Sequence, residues 1–195
     1  MEQSNSSHQH FIIFKPYGYL SQFVNNQTRR TNKKMLGELY TFPQTTMAIG
    51  RLDETSEGLL LLTTDGKMSE FIRSSKVEKE YYAQVDGEIT SEAIEQLKNG
   101  VEISTETGKY FTKSCTVKKL DETPQLPERG KKIRDERHGP TSWVSITLRE
   151  GKFRQVRKMT AIVGFPTLRL VRVRIGTIHI NKMLAGNVIK IDGFL

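Results

Sequence analysis

The chain has 195 residues, 36% of them hydrophobic, enough for one sizeable packed domain and too few for two comfortable ones. Thirty Lys and Arg against 22 Asp and Glu leave a net charge of +8, which suits a nucleic-acid partner but equally an ordinary basic surface. The single Cys115 excludes an intramolecular disulfide and argues against a thiolate metal cage, and no apolar run approaches the ~18 residues of a membrane span. The four histidines have no metal-ligand spacing and no signal peptide precedes Phe11, so no metal site and a cytoplasmic location are expected.

The polar start MEQSNSSHQH reads as a flexible tail over residues 1–10, ahead of one domain over 11–195. FIIF (11–14) predicts a strand halted by the KPYG turn, and KKMLGELY a weak helical turn. MAIG and GLLLLTT are two strand segments around RLDETSE. A turn at Asp65–Gly66 precedes a short helix, KMSEFIRSS, with Met68, Phe71 and Ile72 on one side. EKEYYAQVDG is a strand, and Thr90 caps the helix SEAIEQLKN, which closes at Lys98 and Gly100. YFTKSCTVKKL reads as one strand. Residues 121–141, with three prolines and the cluster ERGKKIRDERHG, form a long irregular segment, either a mobile surface loop or an RNA-contacting one. SWVSITLRE alternates, placing Val144, Ile146 and Leu148 on one face. Strands and helices mix without regular βαβ alternation. That predicts an α+β fold with a central mixed, largely antiparallel sheet flanked by helices and loops.

EGKFRQVRKMTAIVGFP (150–166) reads as a turn, a helix from near Phe153, and a stop at Gly164 and Pro166. At about 100° per residue, Val156, Met159 and Val163 form an apolar stripe, with Arg154, Arg157 and Lys158 opposite. TLRLVRVRIG follows with Arg169, Arg172 and Arg174, extending the positive surface. Arg51 and Asp53 stand two apart, on one face if the segment is a strand. They form either an ion pair or turn cap, or a catalytic carboxylate that a distant arginine keeps ionised between apolar approaches.

GRLDETSEGLLLLTTDG closely resembles the central motif of pseudouridine synthases of the RsuA/RluB/RluE/RluF group. KPYGYL (15–20), KEYYAQV (79–85) and EGKFRQVRKMTAIVGFPTLRLVR (150–172) are similar to three further motifs of that family, in the same order. The likeness runs from about Phe11 to the C-terminus and is nearest the E type, which acts on large-subunit ribosomal RNA. It implies the pseudouridine synthase catalytic fold, without the S4-type RNA-binding domain of many relatives. It further implies that Asp53 is the essential carboxylate and that Arg51 helps fill the space left by a flipped uridine. Tyr81 would pack on the flipped base and Arg157 would pair with Asp53. Lys79, Arg154, Lys158, Arg169 and Arg172 would hold the RNA. The reaction breaks the N1–C1′ bond and rejoins uracil through C5, so no cofactor is expected, and the partner is ribosomal RNA met by a monomer. Ala83, Lys152, Phe153 and Lys158 depart from the family's usual residues, and Phe153 and Lys158 could alter how the RNA is held.

Two other classes compete. A non-catalytic RNA-binding module explains the charge but not the set Asp53, Tyr81 and Arg157. A glycosidase-like hydrolase needs two working carboxylates. Glu54 and Glu57 are its candidates, yet Glu57 reads better as a turn or backbone partner.

Overall fold

The computed structural model describes residues 8–24, 32–74 and 76–194. In chain order these form β1 (His10–Lys15), β2 (Met47–Ala48), β3 (Glu57–Thr63), α1 (Gly66–Arg73), β4 (Lys79–Asp86) and α2 (Ser91–Asn99). Then come β5 (Glu102–Thr105), β6 (Gly108–Phe111), β7 (Thr116–Leu120), β8 (Thr141–Leu148), α3 (Gln155–Ile162), β9 (Thr167–Ile175), β10 (Ile178–His179) and β11 (Val188–Ile191). The main sheet runs β11-β1-β3-β9-β4-β8-β7, with β2 on β3 and β10 on β9. It is mixed and largely antiparallel, as expected.

The leucine run of β3 is buried along its whole length because both faces are covered. Leu59 and Leu61 pack with Phe14, Ile72 and Val171, while Leu60 and Leu62 pack with Phe11, Ile13 and Leu36. Each such leucine contributes about 2 kcal/mol of hydrophobic burial. Helices α2 and α3 bring Ala93, Leu97, Val156 and Met159 against Ala83, Val85, Val144 and Ile146. Thr90 caps α2 by accepting from the Ala93 amide, the hydrogen bond that satisfies an otherwise free donor at a helix start.

The two halves of the sheet meet where β3 runs parallel to β9, with Glu57 opposite Val171 and Gly58 opposite Arg172. Glycine is required there. At φ +104° a Cβ on Gly58 would lie 2.3 Å from the Arg172 carbonyl oxygen. The approach lets the loop before β3 and the arginines of β9 share one seam.

Four local expectations are corrected. Residues 1–7 of the expected tail lie outside the described residues, but His10 is buried in β1, its Nδ1 2.9 Å from Thr63 Oγ1 and its ring 5.0 Å from Phe194. Asp65 does not turn the chain with Gly66 but caps α1, accepting from the Lys67 and Met68 amides. Phe71 is exposed, since α1 buries Ser69 and Ile72 instead. YFTKSCTVKKL is two strands, because Thr112 and Cys115 divert their amides to Val101 and Lys98 carbonyls. The first piece pairs with β5 as a separate hairpin, and the second is the sheet edge.

Candidate active site

Residues 51–56 are an irregular loop rather than a strand, so Arg51 and Asp53 are not strand neighbours on one face. The loop is pinned from beneath. Ser21 Oγ accepts from the Leu52 amide and donates to its carbonyl, both at 2.9 Å. The Gly18 amide of the KPYG turn donates to the Glu54 carbonyl at 2.8 Å. Lys15, fully buried at the end of β1, donates to the carbonyls of Pro16, Tyr19 and Glu54. Burial pushes its ammonium down to about 7, against the pull of Glu57, Asp53 and Glu54. A lysine closing an apolar run was the sequence signal for this brace, and KPYG read as a turn and a family motif gives Lys15 no role of its own.

The arginine segment faces this loop. Helix α3 starts at Gln155, two residues later than periodicity implies, because Arg154 takes the left-handed conformation at φ 53° and ψ 32°. A non-glycine residue held there carries strain of about 1–3 kcal/mol, a feature concentrated at functional sites. Arg154 Nη1 lies 3.5 Å from Asp53 Oδ2, and Arg157 Nε 3.7 Å from the same oxygen. Arg157 is not on a solvated face, since its side chain is only 11% exposed. It donates to the carbonyls of Thr55 and Thr167 and to Ser56 Oγ. The buried arc of α3 is wider than its apolar stripe and includes Gln155 and Thr160. Burial, then the neighbouring Arg154, lowers the Arg157 pKa, while Asp53 opposes the shift.

Asp53 opens into a cleft of about 270 Å³, slightly below the size of pockets that take drug-sized ligands. Arg51, Lys79, Tyr81, Arg154 and Arg172 line it, with Ile49, Leu52, Val156 and Leu170 as apolar walls. Arg51 is exposed at the rim. Tyr81 on β4 sits beside Arg172, whose guanidinium carbon is 6.0 Å from the ring centre. Lys79 donates to the Ser74 carbonyl, and burial, then Arg172, pushes its ammonium down to about 8. Six lining residues are Lys or Arg (Arg51, Arg73, Lys79, Lys152, Arg154, Arg172) and two are acidic (Asp53, Glu150), so the cleft attracts anions.

The second acid is already committed. Glu150 accepts from Tyr110 Oη, the Lys113 amide and Gln155 Nε2, tying the β5–β6 hairpin to the start of α3. Sequence reading passed over Glu150 and Gln155, whose only signal was two polar residues flanking the arginine turn. Glu54 pairs with Lys33. Glu57 is 1% exposed and bound by Arg169 and Arg129, so it is an ion-pair partner rather than a turn or backbone one. No second carboxylate among these stands free opposite Asp53.

Of the three β9 arginines expected to extend the positive surface, Arg172 alone lines the cleft. Arg169 is buried and bidentate on Glu57, at 3.1 and 2.9 Å, away from the cleft. Arg174 is spent on Glu78 and Glu80. Arg172 does line the cleft, but it is buried and donates Nε to the Leu59 carbonyl, leaving Nη2 without a partner. Lys158 points to the hairpin, where its ammonium donates to the Ser104 carbonyl and lies 5.4 Å from the centre of the Phe153 ring. In a sheet with covered faces, arginines on a strand are buried and must find partners. Among the described residues no cluster of His, Cys, Asp and Glu could hold a metal ion, and no helix is long and apolar enough to cross a membrane.

The family model for RNA pseudouridylate synthase matches residues 9–161. The ribosomal large subunit pseudouridine synthase E of Xanthomonas axonopodis pv. citri is 41% identical over 167 residues, covering 85% of this chain and 84% of that protein. The protein of the same name from Vibrio parahaemolyticus is 41% identical over 178 residues, covering 90% and 71%. A solved structure described as a pseudouridylate synthase superposes with a TM-score of 0.73 at 24% identity, over 94% of this chain and 70% of that one, which shows the fold.

Proposed function

Since the chain belongs to the RNA pseudouridylate synthase family, we propose that it isomerises a uridine of large-subunit ribosomal RNA, with Asp53 as the catalytic carboxylate and the uridine flipped into the cleft. The observation that carries the reading is the state of the cleft's two acids. Glu150 accepts three hydrogen bonds, whereas among the described residues Asp53 meets two guanidinium groups, at 3.5 and 3.7 Å. Asp53 therefore has an oxygen to offer a substrate. The names of the relatives support the large-subunit substrate.

The chemistry needs little more than these residues. The N1–C1′ bond breaks, the uracil turns, C5 bonds to C1′, and the C5 proton leaves while N1 gains one. An ionised Asp53 either attacks C1′ or removes the C2′ proton. Tyr81 gives the loosened ring a face to rest on. Arg172, buried beside Tyr81 at the cleft wall, adds positive charge next to the base. Arg51 at the rim occupies the gap in the stack, and the basic lining offsets the few kcal/mol that flipping costs. Arg154 and Lys79 hold RNA phosphates. Arg169 and Lys158, engaged elsewhere, make no such contact in this reading.

Asp53→Asn should lower tritium release from C5-labelled uridine in ribosomal RNA by at least about 1,000-fold, with the thermal melt almost unchanged. Appreciable turnover by that variant would overturn the assignment. Mapping pseudouridines in ribosomal RNA from cells with and without the gene tests the substrate.

A further inference from the structure

Residues 121–140 connect β7 to β8, and part of the segment lies against the Asp53 loop. Arg129 carries the contact. Its side chain is 11% exposed, its Nε is 3.1 Å from Glu57 Oε2, and its guanidinium carbon is 4.2 Å from the centre of the Tyr17 ring. Both partners flank the loop that holds Asp53. Glu57 follows Asp53 by four residues and begins β3, and Tyr17 belongs to the turn whose Gly18 amide donates to the Glu54 carbonyl. Two residues before Arg129, the Pro127 carbonyl accepts from Arg169 Nη2 at 2.7 Å, and Arg169 is the bidentate partner of Glu57. The segment is thus fastened once to the buried carboxylate, by an ion pair in which Arg129 Nε lacks hydrogen-bond alignment, and once to that carboxylate's other arginine.

We propose that Arg129 is a positioning residue for the catalytic loop, acting through Glu57 and Tyr17 rather than by touching the RNA. A surface loop needs no such anchor, and two arginines on one carboxylate exceed what neutralising Glu57 requires. The excess charge is held by the Tyr17 ring, a planar stack that arginine makes well and lysine poorly. Arg129 ties the KPYG turn to the start of β3, and so limits how far residues 53–56 can move between them. Catalysis is sensitive to such small displacements, since about 1 Å of misplacement can cost about 100-fold in rate. The inference rests on the functional reading above in taking residues 53–56 as the catalytic loop.

The test pairs Arg129→Gln and Arg129→Lys with wild-type protein in three measurements: single-turnover tritium release at saturating RNA, RNA affinity against salt, and hydrogen exchange of amides 52–57. Arg129→Gln should slow the saturated rate about 10- to 100-fold, leave the salt slope of affinity unchanged, and speed exchange of the Ser56 amide, which donates to the Asp53 carbonyl. Arg129→Lys should recover part of both rate and protection, by keeping the charge on Glu57 while losing the stack. A normal saturated rate with only a lowered melt would make Arg129 a structural strut and overturn the proposal. Weaker RNA binding with a flatter salt slope would make it a phosphate contact, which also overturns it. Should the wild type form no pseudouridine, the functional reading fails by itself, and unchanged exchange in Arg129→Gln would still refute the positioning role.

Discussion

Arginines on two segments of this protein look alike in sequence and are used in opposite ways. On β9, Arg169 and Arg174 meet carboxylates at 2.8–3.3 Å, with most of their donors engaged. At the head of α3, Arg154 and Arg157 stand 3.5 and 3.7 Å from Asp53, too far for strong charge-assisted hydrogen bonds. The difference teaches how to separate structural from functional charge. Short, saturated, buried pairs hold elements together. Long pairs beside a cleft leave the carboxylate, and the exposed guanidinium of Arg154, able to bind something else.

The sharpest way to break this contrast is Arg169→Ala. It would remove the two hydrogen bonds that Arg169 donates to the buried Glu57, at 3.1 and 2.9 Å, and hydrogen bonds to a charged group contribute about 1.5–3 kcal/mol each. Urea unfolding should show that loss, while any folded fraction binds RNA with the wild-type salt slope. A stable variant with a flattened slope would return Arg169 to the RNA surface.

Arg157 and Arg154 sharpen it from the other side. Arg157→Ala removes donors to Thr55 and Thr167 carbonyls and Ser56 Oγ. It should cost about 1–3 kcal/mol of stability and lower the saturated rate more than RNA affinity. Arg154→Ala, at an exposed position, should cost less than about 0.5 kcal/mol and flatten the salt slope by about 0.7–0.9. Equal stability losses in the two variants would erase the distinction between a buried tether and an exposed anion contact.

The smallest expected effect is a pH dependence from Lys79, whose ammonium is held down to about 8 by burial and Arg172. Below about 8 the group is charged and attracts RNA. As pH rises through that value RNA affinity should fall, by about 0.2–1 kcal/mol for a partly exposed charge. Stability should move the other way. A folded-state pKa below the unfolded one means the unfolded chain binds more protons between about 8 and 10.4, so unfolding becomes harder there as pH rises. Lys79→Arg should flatten the affinity profile, and a fall that survives in that variant would assign the titration elsewhere.

Much of the fold was legible because its signals are local. Thr90 and Gly100 bound α2 through the hydrogen bonds they make and the turns they permit, whatever packs on the helix. The alternation of Val144, Ile146 and Leu148 marks β8 because each faces the same packed cluster. The errors fall where local preference is overruled. Nothing in FRQVR announces a left-handed Arg154 that delays α3, and nothing in YFTKSCT marks the point where amides turn to Val101 and Lys98. Of the site, the proximity of Asp53 and Arg157 was implied by resemblance, whereas Lys15, Glu150 and Arg129 were not singled out.

From sequence alone came the α+β class, most of the strands, the charge excess and the motifs that place the chain in its family. These depend on residue type, spacing and chain neighbours, which folding does not alter. Tertiary structure decided which charges face the cleft and which are consumed. Arg169 and Glu57 are 112 residues apart, and their separation in space depends on β9 lying parallel to β3 across Gly58. A guanidinium carries the same charge on a solvated face and under a sheet. Its role depends on the water it has lost and the partner that replaces that water, and both are set only when distant strands come together.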